Sequence, residues 1–579
     1  MPSKPIKFIR FSLIIVVIIL LISACAAETG PETIPPDPTP VLPTLGIPPT
    51  ATSTPEPTAT PEPLTLYVSE AVPQDVIDLD ALNDITLSAD PDAGLWFGLA
   101  ENAPPGEIVG VATRVYALAA PFPTLMDDLP LSDLAASWLG TRVEALEGVS
   151  ALYVPETLVQ VLAERWGAPD KVWVRPYQQP PASELLWEDN AWALLSFEVL
   201  NPQLKVIQVG GQSPLFKAFD AQAYPLTTRF HLVHNAELAA LPDDGLETIL
   251  SAIQPSNRDP DVMTTLVMTG VTALVRGTAY RMEMHGVTYP GEAIRDWLTE
   301  ADLTHLSNEV SFYEACPFPD PSSPSLLFCS DPKYIELFEY VGADIIELTG
   351  NHNNDALYVY GSDAVPFTLD LYDAYGMAYF GGGRNVAEAK APLLIAHNGN
   401  QLAFIGCNAF GPDFAWATED GGGSAPCEDY QWMAAEISRL RDEGYLPIAT
   451  FQYYEDYYDF AAEHHVRDFG IMAEAGAVIV NGSQAHRPKA MAFAHDAFID
   501  YGLGNLFFDQ NWVIDMYGNI IVQTSWVIVQ RHTFYAGRHL STELLTARLV
   551  DYAQPRPMNT EERVLFLSEL FEASGWNSR

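Results

Sequence analysis

From Leu266 onward, short apolar runs alternate with amphipathic segments of helical length, and this alternation constrains the fold more than any other feature of the chain. The apolar runs predict strands at Leu266–Val271, Leu303–Ser307, Ile345–Leu348, Ala378–Phe380, Leu402–Cys407, Leu446–Phe451 and Ala477–Val480. The intervening segments predict helices at Gly291–Thr299, Pro332–Tyr340, Ala364–Tyr375, Tyr430–Asp442 and His464–Ala475. Strands that alternate with helices form parallel sheets covered by helices. The pattern therefore predicts a layered α/β fold.

An earlier part of the chain shows the same alternation of strand-like and helix-like segments. Ala151–Val154 is typical of a strand, the segment from Pro155 to Trp166 of a helix, and Gly167 of its C-terminal cap. The segment Lys171–Arg175 predicts the next strand. This part resembles one lobe of the bacterial periplasmic solute-binding fold, and it contains no residue with the character of a catalytic group.

A polar, proline-containing seam at Gln254–Asp261 indicates the main domain boundary. Further on, Asn398-Gly399 predicts a hairpin turn, Asn519–Tyr552 alternates like antiparallel strands, and Thr560–Ala573 predicts a closing helix. The predicted organisation is a signal peptide at 1–24, a linker at 25–65, a small α/β domain at 66–254, a larger domain at 262–530 and a C-terminal strand and helix extension at 531–579.

The N-terminus has the pattern of an export signal. Lys4, Lys7 and Arg10 precede the apolar run Leu13–Ile22, which is too short to span a bilayer comfortably and suits a signal-peptide core. The small residues before Cys25 resemble a bacterial lipobox, in which the cysteine is lipidated and becomes the mature N-terminus. An ordinary signal peptide or a short anchor is the alternative, and each interpretation places the bulk of the protein outside the cytoplasm.

The stretch after Cys25 consists largely of Pro, Thr, Glu and Ala, and it holds twelve of the 46 prolines. Such a composition cannot bury a core and favours extended polyproline II. At ~3.1 Å per residue, this stretch reaches on the order of 100 Å. It therefore predicts a tether that lifts the folded part off a membrane, although an exposed tail without that role fits the composition as well.

The charge balance excludes one class of function. The chain has 29 Lys and Arg residues against 75 Asp and Glu residues, which gives a formal net charge of −46. Such a field repels nucleic acid and anionic lipid. An anionic ligand would bind only through a local basic patch or a metal.

Four cysteines besides Cys25 fall into two close pairs, Cys316 with Cys329 and Cys407 with Cys427. In an exported protein this spacing favours two local disulfides. The alternative, a cysteine metal cluster, lacks any CxxC spacing.

Polar clusters follow four of the predicted strands. They are Ser307–Glu309, Thr349–Asp355, Gln452–Asp456 and Gly482–His486. Sites in open α/β sheets form beyond the carboxyl ends of strands, so these loops are expected to converge. Amide, imidazole and carboxylate groups in that position are typical of metal ligands and a general acid.

The segment 343–389 contains the runs TGNHNND and GGGRNVAEA, and Tyr501–Gln510 reads YGLGNLFFDQ. These runs resemble the NNHxxDxG, GAGxNxxEA and YSLGNFxFDQ motifs of the CapA family of capsule and poly-γ-glutamate synthesis proteins. The resemblance covers about Leu266 to Gln510. It implies a layered, calcineurin-like metallophosphoesterase-type fold whose strand ends hold divalent metals that activate water.

The resemblance also implies roles for individual residues. Glu309, Asn351 and His486 would ligate metal, and His352 would be the general acid or would orient a phosphate. Further binding residues of the predicted site are Asn308, Asp355, Glu455 and Gln484. The metal would be Mn, Fe, Zn or Mg.

This chain departs from the family pattern at three expected ligands. Val271 stands where the family has an aspartate, Phe451 or Gln452 where it has a histidine, and Gln484 where it has the first of two histidines. The residues that remain would hold one metal or none, and they do not predict a two-metal clamp.

Each predicted site residue also has a structural alternative. Asn351 and His352 would cap a turn, Glu309 would be a solvated loop acid, and His486 would be an exposed residue beside the small basic patch 487–489. That patch would hold an anionic group without metal.

Three functions follow from these patterns. The first is an exported, lipid-anchored protein of capsule or poly-γ-glutamate synthesis that performs metal-assisted hydrolysis or transfer on a cell-envelope polymer. The second is a non-catalytic relative that binds a polymer end, a wall fragment or an anionic small ligand. The third is a structural surface lipoprotein, which leaves the site motifs unexplained. In each case the predicted location is the outer face of the cytoplasmic membrane or the cell surface, and nucleic acid is not a predicted partner.

Overall fold

The computed structural model describes residues 64–577 except 84, 236–242, 324, 361–363 and 512. The predicted signal peptide, Cys25 and almost all of the predicted linker lie outside the described residues. All described residues belong to one compact unit, Pro61–Arg579. Within them, no helix is both long enough and apolar enough to cross a membrane.

The first part of the described chain forms a mixed ten-stranded sheet with helices packed against it. Its strands are β1 (Thr65–Val68), β2 (Thr86–Ser88), β3 (Leu95–Leu99), β4 (Glu107–Pro121), β5 (Asp128–Leu129), β6 (Leu152–Pro155), β7 (Val174–Tyr177), β8 (Trp192–Ser196), β9 (Leu204–Val209) and β10 (Thr227–His234). Its helices are α1 (Leu131–Trp138), α2 (Glu156–Trp166), α3 (Ser183–Asp189) and α4 (Asp243–Ala252). The main path of the sheet runs β2-β1-β3-β10-β4-β8-β6-β7.

The second part contributes two large sheets and a two-stranded one among the described residues. Its strands are β11 (Met263–Thr269), β12 (Val271–Thr272), β13 (Leu303–Asn308), β14 (Ile345–Glu347), β15 (Ala378–Phe380), β16 (Gly382–Gly383), β17 (Leu393–His397), β18 (Asn400–Asn408), β19 (Gly423–Ser424), β20 (Leu446–Gln452), β21 (Ile479–Ser483), β22 (Met491–Ala494), β23 (Ala497–Asp500), β24 (Asn505–Phe507), β25 (Trp526–Tyr535), β26 (Arg538–Val550) and β27 (Gln554–Pro557).

The helices of this part are α5 (Arg276–His285), α6 (Arg295–Thr299), α7 (Ile335–Tyr340), α8 (Asp355–Tyr360), α9 (Ala364–Tyr375), α10 (Val386–Lys390), α11 (Gln431–Asp442), α12 (Glu463–Glu474) and α13 (Thr560–Ala573). One sheet runs β15-β14-β13-β11-β25-β26-β27, and the other runs β17-β18-β20-β21-β23-β22. The pairs among β13, β14 and β15, and among β18, β20 and β21, are parallel, as alternation with helices predicts.

The two sheets pack face to face with helices outside. Leu266 on β11 and Ile448 on β20 belong to the apolar core between the sheets. Their chain neighbours Val267 and Ala449 belong to the outer cores, which the helices cover. Side chains alternate across a strand, so strands buried on both faces need continuous apolar runs. This helix-sheet-sheet-helix arrangement confirms the predicted layered α/β class.

Strand pairing and packing cross the predicted domain boundaries. β25 spans the predicted boundary at residue 530, and it pairs with β11 on one side and β26 on the other. Phe122 from the first part packs with Phe571 of α13 in a shared apolar cluster. The C-terminal strands therefore complete the first large sheet of the second part.

Most predicted elements appear within a few residues of their expected limits, with local exceptions. The strand expected at Lys171–Arg175 begins only at Val174, because the Asp170 side chain accepts from the amide of Val172 and holds residues 170–173 in a turn. The helix expected at Gly291–Thr299 is the shorter α6, which follows a 3₁₀ turn at Tyr289–Gly291. The hairpin at Asn398-Gly399 is present, and both residues have positive φ angles.

The two predicted disulfides are confirmed. Cys316 bonds to Cys329 and Cys407 bonds to Cys427, with sequence separations of 13 and 20 residues. The first bridge lies in the loop after β13, and the second joins Cys407, the next-to-last residue of β18, to the loop after β19.

Candidate functional site

The candidate site lies where parallel strands of both large sheets end. Glu309 directly follows β13, and residues 348–354 form the loop between β14 and α8, whose first residue is Asp355. A β-bridge between Val310 and His352 holds these two loops side by side. Because the end of β20 and the loop after β21 reach the same place from the facing sheet, the predicted convergence of the four loops is confirmed.

His352 is held between two carboxylates. Its Nδ1 lies 2.6 Å from Asp355 Oδ2, which also accepts from the amide of Phe328 at 2.7 Å. Its Nε2 lies 3.7 Å from Glu309 Oε1. Burial alone favours the neutral ring, but the hydrogen bond to Asp355 and the charge of Glu309 outweigh it and raise the pKa of His352. The ring thus has the surroundings of a proton donor, and 18% of its side chain is exposed.

Glu309 is a buried carboxylate without a hydrogen-bond donor among the described residues, which is the environment of a ligand-binding group. It is 2% exposed, and among the described residues neither carboxylate oxygen has a hydrogen-bond partner. The interpretation of Glu309 as a solvated loop acid is therefore wrong. Asn308 beside it donates to Val310 O and to the hydroxyl of Tyr372, while its own Oδ1 has no partner in the part of the chain that the structure describes. Buried acceptors without donors are rare, because each costs free energy.

Three amide side chains connect the two sheets across the site, and we call Asn351, Gln452 and Gln484 the amide chain. Gln452 Nε2 donates to Asn351 Oδ1 at 2.9 Å and also to Gln484 Oε1. The hydroxyl of Ser483 donates to Gln452 Oε1 at 2.8 Å and so fixes which way the Gln452 amide faces. The three amide groups are buried, and Gln452 supplies the donor for both neighbouring oxygens. The sequence marked Gln452 only as a departure from the family pattern, and nothing local in it signalled this bridge.

His486 is buried, so its interpretation as an exposed loop residue is wrong. Its Nδ1 lies 2.8 Å from Asn505 Oδ1, and its ring packs beside Phe508. Asn505 also donates to the carbonyl of His486, which fixes the loop. Among the described hydrogen bonds and ion pairs, none joins His486 to Glu309 or Asn351. Asn505 lies in the closing motif of the resemblance, which was the available signal for it.

The basic patch beside His486 does not offer a free anion site. Lys489 is buried and donates to Asp456 and to Tyr458 O. Arg487 is also buried, and its guanidinium donates to Tyr457 O at 2.8 Å. These cations hold the loop after β20 in place.

Glu455 and Asp355 have different positions. Asp355 is buried behind His352, whereas Glu455 is exposed and accepts from Gln510 Nε2 at 2.9 Å and from the hydroxyl of Tyr457. Glu455 acts on His352 only through its charge, which helps raise the pKa of the ring. The exposed carboxylate thus lies at the rim of the site.

Arg276 is a residue that the sequence did not point to. Its guanidinium stacks on the rings of Phe328 and Phe508, at 4.9 and 5.1 Å from their centroids, and pairs with Asp509 at 2.6 Å. Phe328 in turn packs on the ring of His352, with the centroids 4.3 Å apart. Arg276 and His352 therefore both contact the ring of Phe328, and Asp509 of the closing motif positions the guanidinium.

The residues present do not fit a two-metal clamp. Val271 is a buried strand residue between Ser307 and Asn505 and offers no ligand. The amide nitrogen of Gln452 lies between Asn351 Oδ1 and Gln484 Oε1, where two oxygens would otherwise face a cation. Among the described site residues, Glu309 alone keeps unsatisfied oxygens of a charged group, and a single carboxylate holds a divalent ion weakly. The predicted ligand roles of Glu309, Asn351 and His486 remain predictions.

The fold and the site define a class of α/β proteins in which two sheets pack face to face and a polar cleft lies beyond the ends of the parallel strands. Residues 265–510 match the family model described as "Bacterial capsule synthesis protein PGA_cap". The "Capsule biosynthesis protein CapA" of Bacillus anthracis is 21% identical over 267 residues, which are 45% of this chain and 64% of that protein. Residues 265–510 therefore resemble the capsule synthesis family, and we call them the CapA-type domain.

Solved structures give lower similarity. A 5'-nucleotidase precursor from Thermus thermophilus is 14% identical with a TM-score of 0.29, and the match covers 54% of this chain and 59% of that one. An ABC-type phosphate transport receptor from Vibrio cholerae is 10% identical with a TM-score of 0.25, over 32% of this chain and 93% of that one. The resemblance of residues 66–254 to a solute-binding lobe remains a prediction.

Proposed function

We propose that this chain is an exported protein, lipid-anchored through Cys25, that binds a cell-envelope polymer end during capsule or poly-γ-glutamate synthesis without two-metal catalysis. The CapA-type domain supports the link to capsule synthesis. The N-terminal pattern supports export and anchoring. The match covers less than two thirds of the relative's length, so the activity of the relative is not transferred.

The amide chain carries this proposal. Gln452 donates to Asn351 and Gln484 at the place where a metallophosphoesterase-type site would need ligand oxygens. Amides that satisfy one another keep the shape of the cleft and remove its demand for metal. Three polar groups stay available to a ligand. They are the carboxylate of Glu309, the partly exposed ring of His352 and the partly exposed guanidinium of Arg276.

The charges of these groups define the ligand. Glu309 and Asp355 balance His352, and Asp509 balances Arg276, so the cleft is not strongly basic. With 75 acidic residues against 29 basic ones, the surface as a whole repels a polyanion. The ligand is therefore a chain terminus or a short fragment that inserts amide, hydroxyl or carboxylate groups locally. A long anionic polymer would not coat this surface.

Binding is measured by isothermal titration of the full chain in detergent with short poly-γ-glutamate oligomers and with purified wall-polysaccharide fragments. We expect at least one ligand to bind, and we expect His352→Ala to weaken that binding at least about tenfold, since it removes a charged contact. His285→Ala changes an exposed histidine elsewhere and is the matched control. If no ligand binds, or if both variants bind like the native protein, the proposal is wrong.

One observation favours a second candidate, hydrolysis or transfer with His352 as the acid. The ring is oriented by Asp355, and the hydrogen bond to Asp355 with the charge of Glu309 raises its pKa despite burial, which favours the protonated ring. In this role the imidazolium would donate a proton to a leaving group, and Asp355 would stabilise the charged ring. The assay measures release of product from poly-γ-glutamate or a model phosphoester. Catalysis by His352 is established if the native protein and His285→Ala release product and His352→Ala does not. The absence of product with Mn²⁺, Zn²⁺ or Mg²⁺ present would leave binding as the function.

A further inference from the structure

The loop after β20 and the start of α12 bring together two histidines and an aspartate outside the amide chain. Asp456, His464 and His465 each offer one ligand atom, and these atoms all lie within 4.8 Å of one another. Among the described residues, this is the one group of three His, Cys, Asp or Glu side chains arranged so closely. We propose that these three residues form a zinc site that fixes the loop bordering the cleft.

The spacing fits tetrahedral coordination. With Zn–N and Zn–O bonds of about 2.1 Å, two ligand atoms of a tetrahedral site lie about 3.4 Å apart. His465 Nε2 lies 3.5 Å from Asp456 Oδ2, which is too far for a good hydrogen bond and close to that spacing. The His464 and His465 rings lie side by side, with centroids 4.5 Å apart. Two imidazoles and one carboxylate leave a fourth position for water, as in open zinc sites.

His465 supplies an independent observation. The side chain is 1% exposed, and its Nδ1 has no hydrogen-bond partner among the described residues. A buried imidazole with an unsatisfied nitrogen costs free energy unless a further partner is present. Aromatic rings enclose it, with the ring of Tyr453 4.8 Å away and that of Phe469 6.2 Å away. The ring is therefore shielded from solvent, and its other nitrogen, Nε2, faces Asp456 Oδ2 at 3.5 Å.

Neighbouring contacts fix the other two residues. Lys489 donates to Oδ1 of Asp456, which leaves Oδ2 directed at His465. The hydroxyl of Tyr453 donates to the carbonyl of His464 and to Asp468, so the first turn of α12 is held against the end of β20. The Lys489 ammonium reduces the affinity of a cation at this carboxylate. We therefore expect a single ion of moderate affinity.

A metal here would act on the cleft through the chain. Gln452 of the amide chain lies four residues before Asp456, and the intervening Glu455 accepts from Gln510 at the rim. An ion that joins the loop to α12 would reduce the freedom of these residues. The proposed zinc ligands are not among the residues that carry the proposed function, so the zinc proposal does not depend on it.

The test is zinc titration of the chelator-treated full chain in detergent, followed by metal analysis of the desalted protein. We expect about one equivalent of Zn²⁺ in the native protein. We expect His464→Ala and Asp456→Asn to weaken binding at least about 100-fold, beyond the effect of losing an outer-shell partner. His464 is only partly buried, so its variant keeps most of the packing. Far-ultraviolet circular dichroism checks that each variant is folded.

Two variants locate the ion. Glu309→Gln alters the cleft carboxylate and should keep the full equivalent of zinc, and His285→Ala should keep it too. In the native protein, Co²⁺ should give the visible absorption of a four-coordinate ion, and His464→Ala should lose it. The proposal is wrong if the native chain takes up less than about a tenth of an equivalent. It is equally wrong if Glu309→Gln releases the zinc while folded His464→Ala and Asp456→Asn retain it.

Discussion

Replacing Gln452 with methionine tests the amide chain in the folded protein. The change keeps the length of the side chain and removes its donor and its acceptor. Asn351 Oδ1 and Gln484 Oε1 then lose their donor, and no other described hydrogen bond reaches either oxygen. Ser483 loses one acceptor, but its hydroxyl can still donate to Phe451 O. The variant therefore leaves two buried carbonyl oxygens unsatisfied.

Each buried polar group left without a partner costs roughly 1–3 kcal/mol, so Gln452→Met should lower the free energy of unfolding by roughly 2–6 kcal/mol. That is a large part of the roughly 5–15 kcal/mol that stabilises a typical domain. Urea unfolding of the full chain, with both disulfides intact and chelator present, measures the change from the midpoint at constant slope. Gln178→Met, at an exposed position, is the matched control, and its effect should stay within about 0.5 kcal/mol.

A loss of less than about 1 kcal/mol in Gln452→Met would refute the reasoning. It would mean that water or an ion already satisfies Asn351 and Gln484, and that the amide chain is not what holds the two sheets together at the site.

Three further results are expected. Gln452→Glu replaces the bridging N–H donor with an oxygen, so it should create an Mn²⁺ site beside Asn351; a melting temperature that Mn²⁺ raises no more than in the native protein would contradict this. Replacing Cys407 and Cys427 with serine opens a loop of 20 residues and should cost about 3 kcal/mol in urea unfolding, and a cost below about 1 kcal/mol would contradict the loop-closure estimate. Burial raises the pKa of Asp500 to about 7 from 3.8, so the folded protein binds a proton that the unfolded chain releases, and stability should fall as the pH rises from about 4 to about 7. Asp500→Asn should flatten that slope, and an unchanged slope would show that another group causes it.

The layered fold could be predicted because its signal is local. β11 and β20 are buried on both faces, and each carries a short apolar run, Leu266–Met268 in β11 and Leu446–Ala449 in β20. α9 and α13 have the predicted limits because amphipathic periodicity fixes a helix within its own segment. The late start of β7 was missed because an aspartate side chain competed for the backbone.

Long-range pairing was not readable from the sequence. β25 pairs with β11 although more than 250 residues separate them in sequence, and neither strand's sequence indicates which strand it pairs with. The convergence of the site loops could be predicted from strand direction, because parallel strands end at one edge. The burial of Glu309 and of His486 could not, because it depends on neighbours that distant loops supply.

The amide chain shows the same limit at the level of one residue. Gln452 and Gln484 could be recognised as missing histidines, but the bond between them depends on the distance between β20 and β21 at their carboxyl ends. The sequence pattern shows which expected metal ligands are absent. The structure is needed to show that Gln452 donates to the side-chain oxygens of Asn351 and Gln484.

The central claim is that an amide bridge stands where a metal clamp would otherwise form. Anomalous scattering from crystals of the full chain, grown with Mn²⁺ and measured where that ion scatters anomalously, tests it most directly. The account predicts no peak between Asn351 Oδ1 and Gln484 Oε1, with Gln452 still bonded to both. A peak within coordination distance of these oxygens and Glu309, with the Gln452 amide displaced, would contradict it.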